Sequence, residues 1–155
     1  MITLTLTEII IRISIAVGLG ALLGIERTLA GKTAGMRTYA MASLGSALFV
    51  IISQIFLSSI PNVNLSLENP LLMPSAVISG IGFICAGLVI FKENKLIGLT
   101  TAAGLWVSAG IGLASGFGFF NLAVVALVAA LIIFTVLWFV EKLLKKFSYG
   151  SDEVE

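Results

Sequence analysis

The chain alternates long apolar runs with short polar breaks, and the runs are too continuous for the period-two alternation of a half-buried strand. Helices are predicted over residues 8–25, 38–58, 71–91, 97–115 and 119–141. Each has roughly 18–23 residues, and roughly 20 residues rising 1.5 Å apiece cross a hydrocarbon core of about 30 Å. The expected fold class is an all-α integral membrane protein, a bundle of about five transmembrane helices. A closed β-barrel is the other way to span a bilayer, but it needs short alternating strands. The first run, opening MITLTLTEIIIRIS, lacks a basic stretch ahead of it, so a cleaved secretory signal is not expected.

Composition sharpens the class. Of 155 residues, 59% are hydrophobic and 11% charged, where a soluble domain carries roughly 25% charged residues. A soluble chain this short could not bury so much apolar surface in one core. The single cysteine, Cys85, excludes an internal disulfide and a thiolate metal cluster, and reads as a small apolar filler. Histidine is absent, which removes the commonest general base and zinc ligand. With no carboxylate cluster either, no catalytic, cofactor or metal site is expected, and the chain is not expected to be an enzyme. A net charge of +1 gives no reason to expect a nucleic-acid partner.

The position of the charges says more than their sum. Arg27, Lys32 and Arg37 lie in the first break, Lys92 and Lys95 in the third, and Lys142, Lys145 and Lys146 after the last run. The second break, SSIPNVNLSLENP, and the short turn at Gly116–Phe119 carry no basic residue. Five spans put all three basic regions on one side, and the positive-inside rule makes that side cytoplasmic, with the N-terminus outside. Residues 1–147 are thus expected to form a five-helix transmembrane domain, and 148–155 a short acidic cytoplasmic tail.

Small residues pattern the runs. Gly20 and Gly24 stand at GxxxG spacing in the first. The third holds Ser79, Gly80, Gly82 and Gly87; in the fourth, Gly104, Ser108, Gly112 and Gly116 recur every four residues. Helices in lipid gain little by hiding apolar surface, so close backbone approach at small residues supplies much of their association. Packing is the first reading of these residues; a local break lining a pathway is the second. Thr100, Thr101 and Ser108 would bond to a carbonyl one turn back or to a neighbouring helix. Trp106 falls mid-helix, where its indole N–H needs a partner, so it is expected to face protein; Trp138, beside Glu141 and Lys142, suits an interfacial belt. On the far side of the fourth run, Leu113 is expected to tolerate a larger side chain.

Four charges near the membrane stand out. Glu26, Arg27 and Arg37 flank a glycine-containing loop, either as topological anchors or as an ion-paired constellation. In the second case a forked contact from Arg37 to Glu26, or to a cluster of backbone carbonyls, is expected, which lysine could not replace. Arg12, inside the first run, follows Glu8 at the i,i+4 spacing of a salt bridge and could instead extend outward to the interface.

Several of these stretches resemble the MgtC/SapB family of bacterial membrane proteins. GALLGIERTLAGKTAGMRTYAMASLGSALFVIIS is similar to its first two helices, with an acid–Arg pair closing helix 1 and Gly35, Arg37 and Thr38 opening helix 2. SGIGFICAGLVIFKENKLIGLTTAAGLWVSAGIGLASGFGFF is similar to the next two. The likeness covers about residues 9–140. It implies a five-span protein of the inner membrane, and adds Thr38 to the constellation. It also implies roles in magnesium limitation, stress adaptation or virulence, exerted through contacts with membrane complexes such as the F-type ATP synthase. A homo-oligomer, a homodimer first, is expected. Longer members continue into a soluble domain resembling an ACT fold, which the sequence to Glu155 does not contain.

Two functions follow as expectations: a regulator acting through contacts within the bilayer, or a transporter or channel for a small ion, magnesium first. Magnesium favours oxygen ligands, commonly carboxylates, in octahedral geometry. Glu8, Glu26, Glu68, Glu93 and Glu141 all fall at helix ends or in breaks, which favours the regulator.

Overall fold

A computed structural model describes residues 4–59, 72–92 and 95–149, with side chains to residue 146. Residues 60–71, which hold the second polar break beyond Ser59, and residues 150–155 of the expected tail lie outside the described residues.

Helix α1 runs Leu6–Leu29. Thr5 caps it: its side chain accepts from the Glu8 N–H while the Glu8 carboxylate accepts from the Thr5 N–H at 2.8 Å, a reciprocal box that satisfies two otherwise orphaned donors. The helix closes at Ala30, and Gly31 follows at φ +64°. Helix α2 spans Met36–Ser59. Both run past the ends expected from hydropathy, because their terminal turns are polar and project beyond the apolar run.

The core is built from small and polar residues at helical spacing. Ala16, Gly20, Leu23, Gly24 and Arg27 form the buried stripe of α1, and Tyr39, Ser43, Ser46, Ala47, Val50 and Ile51 that of α2. Helix α4, Leu99–Phe117, lies against α1, α2, α3 and α5, and most of its length is buried. Large apolar side chains such as Phe49, Phe56 and Phe83 point outward, the arrangement expected when lipid replaces water as solvent.

Helix α3, Leu72–Leu88, lies against α4 and α2, and Ile81 is its one buried residue among those described. The third run was expected to remain helical to residue 91. Instead α3 stops at Leu88, and a short antiparallel hairpin follows: β1, Ile90–Lys92, pairs with β2, Lys95–Ile97, in the register Ile90↔Ile97, Phe91↔Leu96, Lys92↔Lys95. Aromatic and β-branched residues favour strands, and an apolar run alone does not separate strand from helix. Gly98, at φ +91°, returns the chain to α4; a Cβ there would strike the Leu88 carbonyl oxygen.

The last run is one rod with a defect. Helix α5, Phe120–Ile132, passes through a π-helical segment, Ile133–Leu137, into α6, Trp138–Tyr149. It therefore extends past residue 141, and positions 148–149 of the expected tail are helical. Among the described residues, four helices are long and apolar enough to cross a membrane: α1, α2, α4 and the rod from Phe120 to Lys146. Helix α3 is apolar but shorter, 17 residues, or about 25 Å.

Candidate functional site

Polar side chains inside the bundle form three groups along its length. The first lies where α1 begins and α4 ends. Arg12 donates to Gln54 Oε1 at 2.7 Å and to the Gly116 carbonyl at 2.8 Å, tying α1 to α2 and α4. The salt bridge expected between Glu8 and Arg12 is not formed among the described residues. The Glu8 carboxylate is taken up by the cap, accepting from both the N–H and the hydroxyl of Thr5. The carbonyls of the last turn of α4 need donors. Gly118, at φ +84°, leaves room: a Cβ there would stand 3.4 Å from the guanidinium.

The second group is a seam through the middle. Ser43 donates to the Ala16 carbonyl at 2.7 Å, Ser108 to the Tyr39 carbonyl at 2.8 Å, and Tyr39 to the Thr101 carbonyl at 2.9 Å. Each bond crosses between helices, and such bonds contribute about 0.6 kcal/mol on average in membrane bundles. Their main effect is to set register. The glycines bring the backbones close enough. A Cβ on Gly112 would overlap the Ser43 carbonyl, and one on Gly116 would come within 2.9 Å of the Ala47 oxygen. A Cβ on Gly20 would stand 2.7 Å from that of Ser43.

The third group lies where α1 ends and the π segment passes. Arg27 is 4% exposed and ion-paired through Nε with Glu26. Its guanidinium carbon stands 3.6 Å from the centroid of the Phe134 ring. Phe134 in turn fills the space over Gly104, where a Cβ would lie 2.5 Å from both the ring and the Tyr39 hydroxyl. Outside this stack opens a cleft of about 1000 Å³, lined by Glu26, Arg27, Lys32 and Thr100 on one side and by residues of the π segment and α6 on the other.

The structure thus divides the residues expected to act together. Glu26 and Arg27 meet, and Thr100 joins them at the cleft. Arg37 and Thr38 are exposed on the first turn of α2, and among the described residues neither has a side-chain hydrogen bond or ion pair. The forked contact expected from Arg37 to Glu26 is not formed; Arg27, the adjacent residue, takes the carboxylate. Thr101, Gly104, Ser108 and Gly112 belong to the packed face of α4. Ser79, Gly80, Gly82 and Gly87 lie outside the core, and the three glycines face open space.

Trp106 is 49% exposed, contrary to the expectation that it faces protein, because it shares the outer face of α4 with Ala103 and Gly110. Leu113 is 9% exposed and does not lie on an open side. Gln54 and Phe134 were missed. Phe134 continues the buried stripe Ala123, Leu127 and Ala130 at helical spacing, and the small residues of that stripe were the signal for it. Gln54 could have been found as the one amide in its apolar run.

Apolar helices, a glycine-lined core and polar bonds confined to helix contacts define a multi-pass α-helical membrane protein. Residues 13–143 match the MgtC family, and the chain belongs to that family. It is 36% identical over 129 residues to "Putative magnesium transporter YhiD" of Escherichia coli K12, covering 83% of this chain and 60% of that one. Protein SapB of Bacillus subtilis is 37% identical over 138 residues, 88% and 60% of the two chains. Protein MgtC of Salmonella typhimurium is 37% identical over 122 residues, 79% and 49%. The chain therefore matches about half to three-fifths of the length of these relatives. No solved structure matches.

Proposed function

We propose that the protein is a regulator in the bacterial inner membrane, acting by contact with other membrane proteins under magnesium limitation, stress or infection. The observation that carries this reading is the contrast between α4 and α3. The glycine face of α4 is closed by α2 and by Phe134, and its seam hydroxyls bond to helix carbonyls. Helix α3 offers Gly80, Gly82 and Gly87, each with no atom within 4 Å of where a Cβ would stand. Another helix could approach there at backbone distance. That helix would belong to a larger complex, such as the F-type ATP synthase named by the family resemblance, or to a second copy in a homodimer. The activity is non-catalytic.

The name of the Escherichia coli relative supports the second reading, magnesium transport. A transported cation needs oxygen ligands along its path, and the seam oxygens described above are engaged between helices. The test pairs two measurements. Liposomes holding the purified protein and a magnesium-sensitive dye are expected to show no influx above empty liposomes. In cells relying on this protein for growth at low magnesium, Gly80→Leu and Gly87→Leu are expected to abolish growth while the protein keeps its level and melting temperature. Magnesium influx, or full growth of both variants, would overturn the regulator reading.

A further inference from the structure

The cleft beside Arg27 is built for a ligand of stated charge. Arg27 is 4% exposed, and its described hydrogen bond uses Nε alone, toward Glu26. Nη1 and Nη2 have no acceptor among the described residues, although the side chain lines the cleft. Phe134 holds the guanidinium plane from one side. A buried guanidinium with its two terminal donors unspent forms the fork that matches an oxyanion.

The remaining charges give the sign. The lining holds Arg27, Lys32, Lys142 and Lys145 against Glu26 and Glu141, four cations and two carboxylates. Glu26 is taken by Arg27, and Glu141 by Lys145 at 2.6 Å. Lys32 and Lys142 have no acid partner among the described residues; Lys142 lies 5.4 Å from the Trp138 ring centroid. Leu29, Ile133, Leu137 and Phe139 supply an apolar wall. A dissolved anion has no use for that wall, whereas an acyl chain does. Basic pockets between helices on the cytoplasmic side suit anionic headgroups, and the basic residues place this end of the bundle on that side.

We propose that this cleft binds the phosphate of an anionic phospholipid, Arg27 donating through Nη1 and Nη2, Lys32 and Lys142 adding charge at the rim, and the acyl chain lying along the π segment.

Trp138 lines the cleft and reports on it. The sequence has two tryptophans, so Trp106→Phe leaves Trp138 as the single fluorophore. In liposomes of unlabelled phosphatidylcholine, a small fraction of phosphatidylglycerol with brominated acyl chains is expected to quench Trp138 more strongly than the same fraction of brominated phosphatidylcholine. Arg27→Lys is expected to reduce that preference by roughly tenfold, the worth of one lost charge-assisted bond. Lys32→Gln and Lys142→Gln should each reduce it by about fivefold. Should Arg27→Lys fail to fold, the double lysine variant decides, since its changes lie at the rim. Equal quenching by the two brominated lipids, or a full preference kept by the double variant, overturns the proposal. Inorganic phosphate that abolishes the preference where sodium chloride of equal ionic strength does not would assign the site to free phosphate and overturn the lipid.

Discussion

Two arginines that look alike in the sequence have opposite situations. Arg12 is partly buried and bonded to Gln54 and the Gly116 carbonyl, whereas Arg37 is exposed with no described partner. Arg12→Leu would leave a side-chain amide and a helix-end carbonyl without their donor. Hydrogen bonds to a charged group contribute about 1.5–3 kcal/mol each, so losing two is expected to cost about 3–6 kcal/mol, read as a lower melting temperature in detergent. Arg12→Lys should recover part of it, since an ammonium cannot reach two acceptors in one plane. Arg37→Lys should leave stability within about 0.5 kcal/mol of the parent, as for other exposed positions. An unchanged melting temperature for Arg12→Leu would refute the inward bonding. The sequence marked both arginines as notable, yet it could not say which was spoken for. That depended on α4 ending opposite Arg12, a contact across 104 positions.

Among the elements, the glycine spacing of α4 was legible, while the usual signal of a core was inverted. In lipid, small residues mark the inside and large apolar ones the outside. The stripe Gly104–Ser108–Gly112–Gly116 was read correctly as a packing face, whereas Trp106, placed inside, and Leu113, placed outside, were each put on the wrong side. Paired variants separate the two faces. Gly112→Ala sets a methyl group into the Ser43 carbonyl and should cost at least about 1–3 kcal/mol through overpacking. Gly110→Ala meets open space and should gain up to about 1 kcal/mol of helix propensity. Equal melting temperatures for the two would argue against the described α2–α4 contact. The hairpin at residues 90–97 was not legible, because four of its six paired residues, Ile90, Phe91, Leu96 and Ile97, continue the apolar runs on either side of the Lys92–Lys95 pair. Only the tertiary contact of Gly98 with Leu88 shows where the helix must stop.

For the whole molecule, hydropathy carried most of what the fold later required. Composition implied the helical membrane class, and the described residues hold four helices long enough to cross together with the shorter α3. Orientation is testable without knowing any partner. In a Cys85→Ala background, single cysteines at Asn64 and at Ser151 should react with a membrane-impermeant thiol reagent from opposite faces of the membrane, Asn64 from outside. Labelling of both from one face would break the topology. The cleft was less legible, since it assembles the end of α1, the start of α4 and a π segment distant in sequence. That π segment has a consequence for everything after it. A π turn holds one residue more than the α-helix needs, so it acts as a phase shifter on the rod. Were the same residues wound as a continuous α-helix, each α6 side chain would turn by about 100° relative to α5, and Lys142 and Lys145 would leave the lip of the cleft although neither had been altered. Removing one residue from the segment, Thr135 for example, would restore the ordinary period and keep those lysines on their present faces. The segment is slack in the rod, a residue it can give up without turning its basic end.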